Sequence, residues 1–197
     1  MVKNKTRFPV KAIILPFSFL IGLSCFCSCI SGAKSREDLL YAYLTDTSRY
    51  ILLPASGIEK PMDMAQKISA SYQGRDFLFV AWVKADETGI EMTFLSELGI
   101  NMGELSYRDG AISFSSPVFP GSLKPEYIIA DFQLCFYNPL LLSRALEKCS
   151  LVLETSGTAR RILKGNELIY EIEKNADAVK LTNYLRGYVY TLEGDFS

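Results

Sequence analysis

From residue 67 onward, apolar and polar positions alternate with a period close to two, the pattern of strands that keep one face wet. Ile68, Ala70 and Tyr72 alternate with Lys67, Ser69 and Ser71. A QGRD turn leads into DFLFVAWVK, and ADETG turns the chain again into Ile90, Met92 and Phe94, which alternate with Glu91 and Thr93. Beyond SELG, Gly103, Leu105 and Tyr107 alternate with Glu104 and Ser106. Asp109-Gly110 marks a hairpin, because that pair tolerates the positive φ of a tight turn. Ile112 and Phe114 then carry the pattern on. The expectation is a five-stranded antiparallel meander with one apolar face.

The alternation breaks at Pro117, Pro120 and Pro125. PEYIIADFQLCFY places apolar residues nearly all round a helix, so that helix is expected to be buried. Asn138-Pro139 supplies a cap and a first-turn proline for a second helix, LLLSRALEK. Strands resume with LVLET, ARRILK, LIYEIEK, VKLTN and GYVYTLEG. Upstream, Glu37 to Leu44 reads as a short helix and residues 45–61 as irregular chain. The expected fold is mainly β (α+β), an unclosed antiparallel β-barrel with the helical hairpin Pro125–Lys148 covering its concave face.

The first 30 residues follow another logic. MVKNKTRFPVK carries Lys3, Lys5, Arg7 and Lys11 without an acid, and AIILPFSFLIGLSCFCSCI is apolar and then rich in small residues. A basic stretch, an apolar stretch and small residues are the requirements of an export signal. Pro16 and several serines dilute a run already near the lower limit for crossing a bilayer, which favours cleavage over a retained span. SCFCSC resembles a lipobox. Cys29 follows Phe26, Cys27 and Ser28, and Cys25, the runner-up, follows Gly22, Leu23 and Ser24. The expected organisation is a lipoprotein signal peptide over 1–28, a small polar tether over 29–36 and a single domain over 37–197. The membrane partner is then reached through an N-terminal lipid anchor.

Composition narrows the function. The 197-residue chain is 49% hydrophobic with a net charge of -1, and its charges are interspersed. That leaves no one-sided basic field for nucleic acid. Histidine is absent, removing the commonest general base, metal ligand and activator of nucleophiles. Neither a glycine-rich phosphate loop nor a metal-spaced cluster occurs in the domain, so no enzyme, metal or cofactor is expected. Cys135 and Cys149 are compatible either with a disulfide or with free thiols.

SLKPEYIIADFQLCFYNPLLLSRAL, with ARRILKGNELIYEIE and KLTNYLRGYVYTLE, resembles a domain-of-unknown-function family of predicted bacterial lipoproteins. The matching residues are Tyr127, Ile128, Ala130, Asp131, Gln133 and Leu134, then Asn138-Pro139, Arg161, Asn183, Arg186, Gly187 and Tyr188. LLPASG, FLS-LG and LSYRDG keep the family's order, and the likeness runs from Leu52 to Glu193. Tyr137 stands near where the family often has tryptophan. The resemblance implies a LolA/LolB-like fold whose apolar cavity takes acyl chains, often encoded beside aryl-polyene or fatty-acid-type biosynthesis genes. It also implies a cell-envelope location, lipid-anchored at the outer membrane and facing the periplasm.

On this register Phe77, Phe79, Ala81, Val83, Ile90, Met92, Phe94, Leu105, Tyr107, Ile112 and Phe114 face inward, and Leu78, Val80 and Trp82 face the other way. The inward set could line an acyl cavity or form an ordinary packed core, and alternation alone does not separate the two. If it is a core, Leu78, Val80 and Trp82 would sit under the N-terminal helix. Ile128, Asp131, Phe132, Gln133 and Phe136 mark the lid helix. Its buried Asp131 and Gln133 need partners: backbone groups beneath the helix, or a polar latch. Arg160, Arg161 and Arg186 could meet a lipid head group, or lie on a solvated face paired with Glu171 and Glu173. The expected function is binding or transfer of an acyl-type lipid or lipidated molecule. The alternative is a non-enzymatic scaffold or interaction lipoprotein with a filled core.

Overall fold

The structure is a computed structural model that describes residues 39–196. The signal peptide, both lipidation candidates (Cys25 and Cys29) and the tether lie outside these residues. In chain order the elements are β1 (Tyr41–Tyr43), β2 (Arg49–Ile51), a 3₁₀ turn (Ala55–Gly57), β3 (Met62–Tyr72), β4 (Arg75–Asp86), β5 (Gly89–Leu95), β6 (Asn101–Arg108) and β7 (Ala111–Ser115). Two helices follow, α1 (Pro125–Phe136) and α2 (Pro139–Glu147). The chain then returns through β8 (Val152–Ser156), β9 (Ala159–Lys164), β10 (Glu167–Lys174), β11 (Ala178–Asn183) and β12 (Tyr188–Glu193).

Strands joined by short turns pair with their sequence neighbours, and ten do so here in one antiparallel sheet ordered β7-β6-β5-β4-β3-β12-β11-β10-β9-β8. The first and last of these strands meet at the centre, Lys67 opposite Glu193 and Tyr72 opposite Tyr188. β7 and β8 are left as separate edges, so the sheet is not closed into a barrel. Successive turns fall alternately at two ends. The Gly74 end carries the β3–β4 turn, the β5–β6 loop, the β7–α1 loop, the β9–β10 turn and the β11–β12 loop. The Gly110 end carries the β4–β5, β6–β7, β8–β9 and β10–β11 turns. Gln73 and Gly74 both have positive φ (49° and 73°), the type I′ pair that matches strand twist.

The expected short helix over Glu37–Leu44 is corrected in its described part. Tyr41–Tyr43 is a strand paired with β2, which itself falls within the stretch expected to be irregular. The apolar spacing there suits either period. Pairing decides it: Ala42 turns inward while Tyr41 and Tyr43 stay outside, and the Thr45 hydroxyl accepts from the Ser48 amide to close the turn. Among the described residues no helix lies above Leu78 and Trp82. Both are exposed, and the Trp82 indole donates to Asp63 across the β3–β4 pair.

α1 lies in the concave side, with every residue from Ile129 to Phe136 buried. α2 is amphipathic and buries Leu142 and Leu146 while Leu140 and Leu141 face out; the Asn138 side chain caps it at the Leu140 amide. The cover of the concave side is therefore α1 together with the β1–β2 ribbon, more than a helical hairpin alone. Cys135 and Cys149 are free thiols.

Candidate functional site: the concave side and its mouth

The polar residues of α1 act as fasteners. Gln133 Oε1 accepts from the Tyr50 hydroxyl (2.9 Å) and the Leu53 amide (3.0 Å), and its Nε2 donates to the Leu53 carbonyl (2.7 Å). The Tyr107 hydroxyl donates to that same carbonyl at 2.8 Å. Gln133 thus ties the helix to the ribbon and to the Leu53 segment after it, and Tyr107 ties that segment to β6. At the helix C-terminus the buried Arg160 guanidinium donates to the Leu134 and Tyr137 carbonyls and forms an ion pair with Glu59 at 2.9 Å. A cation there satisfies the carbonyls that a helix leaves unpaired at its end. Gly57 is a packing requirement: a Cβ on it would stand 2.7 Å from the Tyr137 ring.

Asp131 accepts from the Tyr188 hydroxyl at 2.8 Å, while its second carboxylate oxygen has no partner in the structure. Burial lifts its pKa from 3.8 to about 7, with the Tyr188 hydrogen bond pulling the other way. Tyr170, Tyr188 and Tyr190 are all raised by burial as well. Burial pushes the Cys135 thiol up to about 12, which leaves it unreactive at neutral pH. This is a buried phenol–carboxyl cluster that holds the helix, and among the described residues no second acid bonds to Asp131.

The inward-facing set divides in two. Ala81, Val83, Ile90, Met92, Leu105 and Tyr107 are buried in the core beneath the ribbon and helix. Ile90 has no accessible surface at all, so no water-sized space adjoins it. The Gly74 end differs. Phe94 is buried, but Phe79, Phe114 and Phe119 are half-buried. They form a ring cluster with Phe94: Phe79–Phe94 at 6.0 Å, Phe79–Phe119 at 6.1 Å, Phe94–Phe119 at 5.6 Å and Phe114–Phe119 at 6.3 Å between centroids. Most of these pairs are edge-to-face, as the ring quadrupole favours. Phe119 comes from the β7–α1 loop and reaches back over the strands. The Ser116 hydroxyl sets that loop, donating to the Met102 carbonyl and accepting from the Val118 and Phe119 amides. Gly103 leaves room for it, since a Cβ there would meet Ser116 at 2.8 Å.

Phe77 is 48% exposed and lies outside the packed floor, although its parity is inward. β3 pairs with β4 as far as Arg75, whereas β5 pairs with β4 only from Val80, so Arg75–Phe79 runs past its neighbour. Ile112 is half-buried on edge strand β7. On α1, the helix expected to be a lid, Phe132 and Phe136 are buried against the core and Ile128 is half-buried. Of the arginines, Arg161 pairs with Glu171 at 2.9 Å. Arg186 donates to the Tyr43 carbonyl and sits 4.6 Å from the Tyr127 ring centroid. Sequence reading missed Phe119, though an aromatic between two prolines in SPVFPG was its available signal. It also missed Arg160 as a helix cap and Tyr50 and Leu53 as partners of Gln133; contacts so distant along the chain leave no local trace.

These features define a class: an unclosed antiparallel sheet, filled on one side by a buried helix and a short ribbon, with a half-buried aromatic cluster at one end. The chain belongs to the family described as "protein of unknown function (DUF3261)", which matches residues 63–194. No curated protein matches the sequence. Among the described residues no helix is long and apolar enough to cross a membrane.

Proposed function

We propose that the protein is a cell-envelope lipoprotein of LolA/LolB-like type that binds or transfers an acyl-type lipid or lipidated molecule, and that the chain is held at the aromatic mouth. The half-buried cluster of Phe79, Phe114 and Phe119 carries this reading. An apolar surface left partly in water gains about 0.8 kcal/mol for each methylene it covers, and Phe119 belongs to a loop whose ring could give way. The floor around Ile90 is too tightly filled to receive a chain without moving α1. The anchor belongs to Cys29, with Cys25 as the other candidate, and the domain faces the periplasm from the outer membrane. Binding rather than catalysis is proposed, in keeping with the absent histidine and the solitary Asp131.

The test is native mass spectrometry of full-length protein purified from membranes, with titration of a fluorescent fatty acid. The expected result is a diacylglyceryl mass on the N-terminal cysteine and saturable binding, weakened about tenfold or more by Phe79→Asp through lost apolar contact. Phe119→Ala is expected to speed association. A protein that retains no lipid and binds no fatty acid sinks the acyl reading.

The tight packing of the floor favours a second reading, a filled-core scaffold lipoprotein. It predicts flat fatty-acid titrations for the unaltered chain and for Phe79→Asp alike.

A further inference from the structure

Apart from Trp82 on β4, the large exposed apolar residues of the β3–β7 half gather at the Gly74 end. Tyr72, Phe77 and Leu78 flank the β3–β4 turn, Leu98 and Ile100 occupy the β5–β6 loop, and Val118 occupies the β7–α1 loop. Leu98 is 87% and Ile100 63% exposed. The Gly110 end of the same strands shows Asp86, Glu87 and Thr88 at one turn and Asp109 at the other. Three separate turns presenting apolar tips at one end, and polar tips at the other, form a patch of the sort that marks an interaction surface.

The loop backbones suggest what the surface meets. Ser96 Oγ accepts from both the Leu98 and Ile100 amides, the Ser96 amide donates to the Ile100 carbonyl, and Gly99 donates to the Ser96 carbonyl. Ser116 does the same for Val118 and Phe119. Each loop thereby satisfies within itself much of the backbone polarity that would resist transfer out of water, the condition lipid imposes on irregular chain. Arg75 and Lys124 lie at this end together with Asp76 and Glu97, a mixed set suited to zwitterionic head groups. The chain ahead of the described residues supplies the geometry. The nine residues Ile30–Asp38 reach at most about 30 Å, which lets a domain tethered at Cys29 rest either end against its own membrane.

We propose that the Gly74 end is a bilayer-contacting surface, inserting Leu98, Ile100 and Val118 into the interface and presenting the aromatic mouth to the lipid. The proposal rests on the tether reading for its reach and is independent of whether the mouth holds a chain. It is tested with the full chain reconstituted in phosphatidylcholine vesicles bearing brominated acyl chains, in a Trp82→Phe background that removes the only tryptophan. Leu98→Trp should lose about twofold of its emission to the bromines, as for a side chain seated at the acyl boundary. Glu87→Trp at the opposite end should lose little, and adding Ile100→Asp and Val118→Asp should restore the emission of Leu98→Trp. Flotation with unquenched Leu98→Trp overturns the proposal while leaving the tether standing. Equal quenching of Leu98→Trp and Glu87→Trp overturns it, as does a chain that fails to float. A concentration-dependent blue shift of Leu98→Trp without vesicles also overturns it, in favour of a second copy on the rim.

Discussion

Two regions of the molecule are held by different physics. From Asp131 to Tyr137, α1 is fixed by directional polar bonds: Gln133 to Tyr50 and Leu53, Arg160 to the last carbonyls, Asp131 to Tyr188. At the aromatic end, the side chains of Phe79, Phe94, Phe114 and Phe119 meet through ring contacts, and only the Phe119 loop is set by hydrogen bonds, from Ser116. Buried hydrogen bonds accept few alternatives because each unpaired group is costly. Apolar contacts can be exchanged for others at small cost. The pinned region therefore sets one arrangement, and the mouth is where the arrangement can change.

The largest effect should come from the pinned region. Arg160→Ala leaves the Leu134 and Tyr137 carbonyls without their donor and Glu59 without its partner, and should cost about 3–5 kcal/mol in urea unfolding. Arg160→Lys should recover only part of this, since an ammonium cannot span both carbonyls and Glu59 as a planar fork does. Gln133→Leu should cost about 2 kcal/mol by stranding Tyr50 and Leu53. Phe119→Ala should cost less than Gln133→Leu, its ring being already half in water. The reverse order would break the comparison.

A finer test is a slope. The Asp131 pKa is raised on folding to about 7, so the neutral carboxyl is the form the folded state prefers. Its contribution is fully present below about pH 4 and is lost as pH rises through about 7. Urea midpoints at pH 4, 6 and 8 should fall for the unaltered protein relative to Asp131→Asn, in which this slope is absent. Parallel profiles would show that Asp131 is not neutral in the folded state.

The meander was legible because alternation is a local property. Ile90, Met92 and Phe94 against Glu91 and Thr93 determine which face is wet, whatever lies elsewhere. α1 and its cap-plus-proline successor were legible for the same reason. The β1–β2 ribbon was not, since a three-residue strand of Tyr-Ala-Tyr has too few positions to separate a period of two from one of 3.6. Parity assigned Phe77 to the inward set, but the residue is exposed, because β5 stops short of it and strand length is a property of the pair. Arg160 looked like a surface charge among ARRILK; only the arrival of the end of α1 beside it makes it a cap.

The pairing of β3 with β12 has a consequence in time. These partners stand over a hundred residues apart, so the centre of the sheet is the last seam to be joined as the chain emerges, whether from a ribosome or an export channel. Until then β3 presents an open strand edge with Ile68 and Ala70 beside it, a template for wrong partners. The rest of the topology is hairpins that form quickly from neighbours. The protein should thus acquire its two halves early and its unity late, with the final fifth of the sequence deciding whether a soluble intermediate becomes a native fold or an aggregate.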